Sequence, residues 1–239
     1  MDLAPADEFH IRGREATVEL AARDWLAPGL HVLDIGCGLG GSARYLADEH
    51  QCLVTGIDIT QKFLDAAKVF TDLVGLSHRV RFRRGSAVAM PFEDQSFDVV
   101  WSEHTQMNVA DKRALLGEIA RVLRPGGRLF FHDIFQGDAQ PLHYPVPWAE
   151  DRSIDFLITP DESREILAES GFSVIDWEDR SQASLDWFIE TYKQFQLSNR
   201  PPLGLHILMG DSAKATIENQ IRNLLEDRMV VVQAVAKKY

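Results

Sequence analysis

The stretch HVLDIGCGLGG, residues 31–41, constrains this chain more than any other. HVLDI reads as a short apolar strand, and the glycine-rich turn after it leads into SARYLADEH, 42–50, which has helical spacing. A strand that breaks into such a turn and then a helix opens a βα unit. The alternation continues downstream. CLVTGIDI (52–59) predicts a strand, KFLDAAKVFTDLVGL (62–76) an amphipathic helix, RVRFRRGS (79–86) a half-buried strand and FDVVWSE (97–103) an apolar strand. DKRALLGEIARVL (111–123) predicts a helix closed by Arg124-Pro125-Gly126-Gly127, and RLFFHDIF (128–135) the next strand. Upstream, REATVELAARDWL (14–26) predicts a helix that stops at Pro28-Gly29. Strands alternating with helices of this length imply a parallel sheet with right-handed crossovers.

After residue 135 the chain loosens into QGDAQPLHYPVPWAE, 136–150. A helix follows at about 160–170, a strand at about 172–178, helical stretches near 183–196 and 211–227, and the strongly β run MVVVQAVAKK at the end. A length of 239 residues fits one α/β domain with an elaboration, so we expect residues 1–239 to form one unit. The formal net charge of −11 argues against a nucleic-acid partner. No apolar run reaches 18 residues, so no membrane span is expected. The polar start MDLAPADEFHIRGRE carries no secretory pattern. Only Cys37 and Cys52 are present. They fall at opposite edges of the expected sheet, roughly 15 Å apart at about 3.3 Å per residue, too far for a disulfide. Two reduced thiols and a cytoplasmic location follow as expectations.

Gly36, Gly38 and Gly40 satisfy G-x-G-x-G, while Gly36, Gly38 and Gly41 satisfy G-x-G-x-x-G. Glycine count alone leaves a nicotinamide dinucleotide and an adenosine-bearing methyl donor both open. In a doubly wound sheet the ligand lies beyond the C-terminal strand ends. Asp58, at the end of the second strand, can accept both hydroxyls of a ribose, which either ligand carries. Asp34 separates them. A carboxylate just before the turn repels a pyrophosphate but favours an ammonium and a sulfonium. The Tyr-x-x-x-Lys pair of many dehydrogenases is absent from the sequence.

The ordered blocks VLDIGCGLGG (32–41), GIDIT (56–60), Ala87 to Asp98 with its MPFEDQSFD, and RVLRPGGRL (121–129) resemble class I S-adenosylmethionine-dependent methyltransferases. Within them the chain is similar to the small-molecule branch of sarcosine/dimethylglycine, phosphoethanolamine and ubiquinone/menaquinone-biosynthesis methyltransferases. The resemblance covers about residues 5–180. It implies a Rossmann-like α/β fold, a seven-stranded mostly parallel sheet of order 3-2-1-4-5-7-6 with the last strand antiparallel. Helices would cover both faces, with a helical cap. Residues 1–26 would form an N-terminal lid and helix, and 136–150 with about 181–227 the acceptor-side cap. The implied donor is S-adenosyl-L-methionine, leaving as S-adenosyl-L-homocysteine. Gly36, Gly38 and Gly40 would let the backbone approach it, with Asp34 near its methionine end and Asp58 on the ribose. Ile59 would pack on the adenine, Ala87 would offer its N–H there, and Glu103 and His104 would flank the methionine part. Ser86 stands where the family usually has Asp, which weakens one adenine contact.

A methyl acceptor with an acidic proton needs a base, whereas an amine can manage without one. His104, His132, His10 and Tyr144 are the candidates, with His143 nearby in the loose segment. Arg12 and Arg14 could meet the donor carboxylate. Phe9, Trp148, Trp187 and Phe195 could line an aromatic pocket. No histidine–carboxylate spacing suggests a metal. The expected activity is methylation of a small-molecule acceptor, leaning to an amine. A hydroxyl or carbon on a quinone- or polyketide-like ring is the alternative. An oxidoreductase and a non-catalytic cofactor-binding protein are more remote, and a homodimer is left open.

Overall fold

The computed structural model describes residues 7–23, 25–196 and 213–239, with only the backbone at 194–196. Seven strands form one sheet: β1 His31–Ile35, β2 Leu53–Asp58, β3 Val80–Arg84, β4 Phe97–Glu103, β5 Leu123–Gln136, β6 Phe172–Asp179 and β7 Met229–Lys238. Their spatial order is 3-2-1-4-5-7-6, as the resemblance implied. β7 runs antiparallel to both neighbours, β5 and β6, and the other pairs are parallel.

The helices are α1 Gly13–Ala21, α2 Gly41–Glu49, α3 Gln61–Leu73, α4 Lys112–Val122, α5 Pro160–Glu169, α6 Ser181–Gln196 and α7 Ala213–Leu225. Strand side chains alternate between faces, so the sheet builds two cores. Leu33, Ile35, Val100, Leu129 and Phe131 face α4 and α5 through Leu115, Leu116, Ile119 and Leu167. Val32, Val54, Val99, Trp101 and Phe130 pack on the other side with Leu20 of α1 and Leu46 and Ala47 of α2. A third core joins α6 and α7, through Leu185, Phe188, Ile217 and Leu224, to Ile134 of β5 and Val231 of β7. The cap therefore stands beside the C-terminal end of β5.

Most boundaries shift by one to three residues, and two differ by more. α1 ends at Ala21 rather than 26, and Trp25 instead lies under the Arg128 guanidinium at 3.6 Å. β5 starts at Leu123, which pairs with Phe97 before the Pro-Gly-Gly turn; regular pairing resumes at Arg128 with Val99. α5 opens with a capping box: the Thr159 hydroxyl accepts from Glu162 N–H at 3.2 Å, and the Glu162 carboxylate accepts from Thr159 N–H at 2.8 Å. Cys37 and Cys52 are both free and buried. Burial pushes the Cys52 thiol up to about 11, so neither it nor Cys37, which burial also pushes up, is a ready thiolate. Among the described residues no helix is long and apolar enough to cross a membrane.

Candidate active site

The three glycines of the turn are needed for different reasons. Gly36, at φ 68°, lies so close to Thr105 that an added Cβ would sit 2.3 Å from its Oγ1. At Gly40 the same atom would meet the Phe82 ring at 2.6 Å. At Gly38, φ 51°, the nearest obstacle is Phe9 at 3.9 Å, because this glycine borders open space. That space is a cavity of about 850 Å³ at the C-terminal ends of β1, β2 and β4. Asp58 closes the turn: its carboxylate accepts from Gly38 N–H at 3.0 Å and from Thr60 N–H at 2.7 Å.

Six carboxylic residues line the cavity: Asp7, Glu8, Asp34, Asp58, Glu103 and Glu150. No Lys or Arg does so among the described residues. Glu103, ending β4, is held by Ser42 Oγ at 2.5 Å, Trp101 Nε1 at 2.8 Å and Thr17 Oγ1 at 3.4 Å. Glu8 lies 2.6 Å from Arg14, yet burial and its acidic neighbours push its pKa up to about 8. Asp34 is only 3% exposed and its Oδ2 has no hydrogen-bond partner. Burial, then the charges of Glu103, Asp58 and Glu8, push it well above the usual carboxylate range. An orphaned buried carboxyl oxygen in an acidic cavity fits a cationic ligand group. It does not fit a pyrophosphate.

Of the residues singled out in the sequence, the cavity gathers Asp34, Gly36, Gly38, Asp58, Glu103, His104, His10, Phe9, Trp148 and Trp187. Gly40, Ile59, Ser86, Ala87, His132 and Tyr144 do not line it. Ile59 is 67% exposed beside Asp58, and the Ser86 hydroxyl accepts from Val88 N–H at 3.4 Å. His132 is fully buried behind His104, its Nε2 3.1 Å from the carbonyl of Ile11. The two rings stack with centroids 5.0 Å apart. Burial and the neighbouring histidines push the pKa of His104 well below the ordinary value, and its Nε2 has no partner. His10 lies 2.8 Å from the carbonyl of Gly13 and 3.4 Å from Glu103. The Asp133 carboxylate is engaged elsewhere than at the His132 ring. It accepts from the N–H groups of Thr105, Gln106 and Ile134, and burial pushes it up to about 7. His143 pairs with Glu226 at 2.7 Å.

Tyr144 donates its hydroxyl to Asp155 at 2.7 Å, and burial pushes its pKa up. Arg12 is taken by Glu15 and Glu19, and Arg14 by Glu8. The Phe195 side chain lies outside the described residues. Sequence reasoning missed Thr17, Ser42 and Trp101 around Glu103, and Arg44, which pairs with Asp7. Thr17, Ser42 and Arg44 reach their carboxylates from separate elements, whereas Trp101 lies two residues before Glu103 on β4, on the same face of the strand.

Residues 33–131 match the methyltransferase domain family. An O-methyltransferase of Pyrenophora dematioidea is 31% identical over 74% of this chain and 67% of its own length. A sarcosine/dimethylglycine N-methyltransferase of Halorhodospira halochloris is 32% identical over 65% of this chain, which spans 56% of that relative. Among solved structures, phosphoethanolamine N-methyltransferase 2 of Haemonchus contortus, in complex with S-adenosyl-L-methionine, superposes with a TM-score of 0.83. It is 21% identical and matches 97% of this chain and 54% of its own. Glycine turn, acidic strand ends, sheet order and relatives agree, and the chain belongs to the S-adenosylmethionine-dependent methyltransferase family.

Proposed function

We propose that this protein moves a methyl group from S-adenosyl-L-methionine to a small-molecule acceptor. The observation that carries it is the partnerless Oδ2 of Asp34 in a cavity walled by carboxylates, which continues into an apolar half beside the cap. The donor, when bound, supplies a methyl group on positive sulfur. The protein holds the two reactants in line and excludes water. Asp34 and Glu103 accept from the donor's ammonium, Asp58 keeps lone pairs for ribose hydroxyls, and Gly38 leaves room for the donor against the backbone. S-adenosyl-L-homocysteine is expected to raise the melting temperature by mass action. Stabilisation by NAD, with no response to S-adenosyl-L-homocysteine, would sink this assignment.

The acceptor atom is nitrogen on the leaning of the sequence. A second reading, methylation of a hydroxyl, is favoured by His104. It borders the cavity and its Nε2 has no hydrogen-bond partner, and burial, which depresses its pKa, keeps the ring neutral until a substrate hydroxyl is placed beside it. His104→Gln separates the two. With a hydroxyl acceptor kcat falls about 100-fold or more, whereas with an amine the loss stays under about tenfold.

A further inference from the structure

The methionine arm of S-adenosyl-L-methionine carries a positive sulfonium, a positive ammonium and a negative carboxylate. The cavity matches the two cations. Asp34, buried and with a partnerless Oδ2, lines it together with Glu103. A match for the carboxylate is missing: no Lys or Arg lines the cavity among the described residues. The arginines of the adjoining segments are each taken by an acid. Arg12 pairs with Glu15 at 2.6 Å and Glu19 at 2.7 Å, Arg14 with Glu8 at 2.6 Å, and Arg44 with Asp7. Lys112 donates to the carbonyl of Gln106 at 2.5 Å. Burial pushes the pKa of His104 well below its ordinary value, so that ring brings no charge. The backbone of the glycine turn offers no substitute. Such a turn can hold an anion only on N–H groups left free to point at it. Here Gly36 and Cys37 donate to the carbonyl of Ile57 at 2.8 and 3.1 Å, Gly38 to Asp58 at 3.0 Å, and Gly40 to the carbonyl of Cys37 at 2.7 Å. After β4, His104 N–H donates to the carbonyl of His132 at 2.8 Å, and those of Thr105 and Gln106 go to Asp133. A ligand carboxylate in this cavity meets other carboxylates and none of these donors.

We propose that the donor's carboxylate is dispensable here, and that the cavity takes the decarboxylated donor, an S-adenosyl sulfonium with a plain aminopropyl arm, at least as well as S-adenosyl-L-methionine. The inference rests on the methyl-transfer reading above and extends it to a second donor. Removing the carboxylate makes the ligand more positive by one charge and ends its repulsion by the surrounding acids, while the ammonium keeps Asp34 and Glu103. The chemical step is the same with either donor. The acceptor's lone pair forms the bond to the methyl carbon as the carbon–sulfur bond breaks. Sulfur keeps the electron pair of that bond, and the acceptor sheds a proton to water.

The test titrates the full chain calorimetrically, at neutral pH and low salt, with three ligands that differ only in the charges of the arm. They are S-adenosyl-L-homocysteine, its decarboxylated analogue 5′-(3-aminopropylthio)-5′-deoxyadenosine, and its deaminated analogue 5′-(3-carboxypropylthio)-5′-deoxyadenosine. We expect the aminopropyl ligand to bind as tightly as S-adenosyl-L-homocysteine or up to about tenfold tighter, and the carboxypropyl ligand to bind about 100-fold more weakly. Arg12→Gln should leave the ratio of the aminopropyl and S-adenosyl-L-homocysteine affinities unchanged, because that guanidinium is held by Glu15 and Glu19. The ligand series on the parent protein stands even if the variant does not fold. The inference is overturned if the aminopropyl ligand binds more weakly than S-adenosyl-L-homocysteine, or if the carboxypropyl ligand binds as tightly. A variant that loses S-adenosyl-L-homocysteine but keeps the aminopropyl ligand overturns it too, since Arg12 would then hold the carboxylate. If none of the three binds, the methyl-transfer reading falls first and this one with it.

Discussion

Asp34→Asn is expected to weaken S-adenosyl-L-homocysteine binding about 100-fold while making the ligand-free protein more stable at pH 8. The two effects share one cause. The Asp34 carboxyl is buried among acids with a partnerless Oδ2, so burial and the neighbouring charges favour its protonated form in the folded chain more than in the unfolded one. A group whose folded pKa is raised gives stability at low pH that is lost as pH rises through the folded value. Glu8, raised to about 8, acts with the same sign. His104 and His132, whose pKa values are depressed, act oppositely, but only below the ordinary histidine value near 6.5. Between about pH 7 and pH 8 the acids therefore dominate, and the melting temperature of the ligand-free parent should fall. Asparagine cannot ionise, so the variant keeps what the parent loses. It also cannot offer the donor's ammonium a charged partner, a difference of about 3 kcal/mol, or 100-fold. Binding by the parent should release protons and tighten from pH 6 to pH 8, and the variant should flatten that trend. Calorimetry in buffers of different ionisation heat measures both. A variant that binds as tightly as the parent would remove Asp34 from the donor site.

Gly36→Ala is expected to be the most destabilising single methyl addition in the turn, at about 3 kcal/mol. The positive φ of 68° alone costs an alanine about 1–2 kcal/mol. The new Cβ would also lie 2.3 Å from Thr105 Oγ1 and 3.3 Å from its Cβ. Threonine cannot easily turn aside, because its hydroxyl donates to the carbonyl of Ile35 at 3.0 Å. Overpacking of this kind costs about 1–3 kcal/mol. For a chain of this size the melting temperature should drop by about 6–12 °C. Combining Gly36→Ala with Thr105→Ala should recover the steric part and leave the backbone part. Gly38→Ala should behave differently. Its Cβ meets nothing within 3.9 Å, so most of its cost should appear as lost donor affinity. Equal destabilisation by the two substitutions, seen by thermal melts without ligand, would contradict this division of labour.

The sheet was legible from the sequence because its signals are local. HVLDI and FDVVWSE match β1 and β4 residue for residue, since apolar runs bounded by turn residues mark buried parallel strands. Helix ends were less legible. α1 ends at Ala21 and Trp25 packs beneath Arg128, a contact with a residue a hundred positions away that no local pattern announces. The candidate bases were equally visible as histidines at strand ends. Their environments were not, and the structure leaves His104 at the cavity with its Nε2 free while His132 is sealed behind it.

The sequence by itself determined the alternating βα order, the glycine turn, and the carboxylates at the ends of β1, β2 and β4. These follow from side-chain period and from turn chemistry, which act over a few residues. Only the tertiary structure decided how those groups behave. It brought Thr17 and Ser42 to Glu103 across 86 and 61 residues, left Asp34 Oδ2 without a partner, and paired Arg12, Arg14 and Arg44 with carboxylates. Desolvation and Coulomb energy depend on distance through space, and separation along the chain carries no record of that distance.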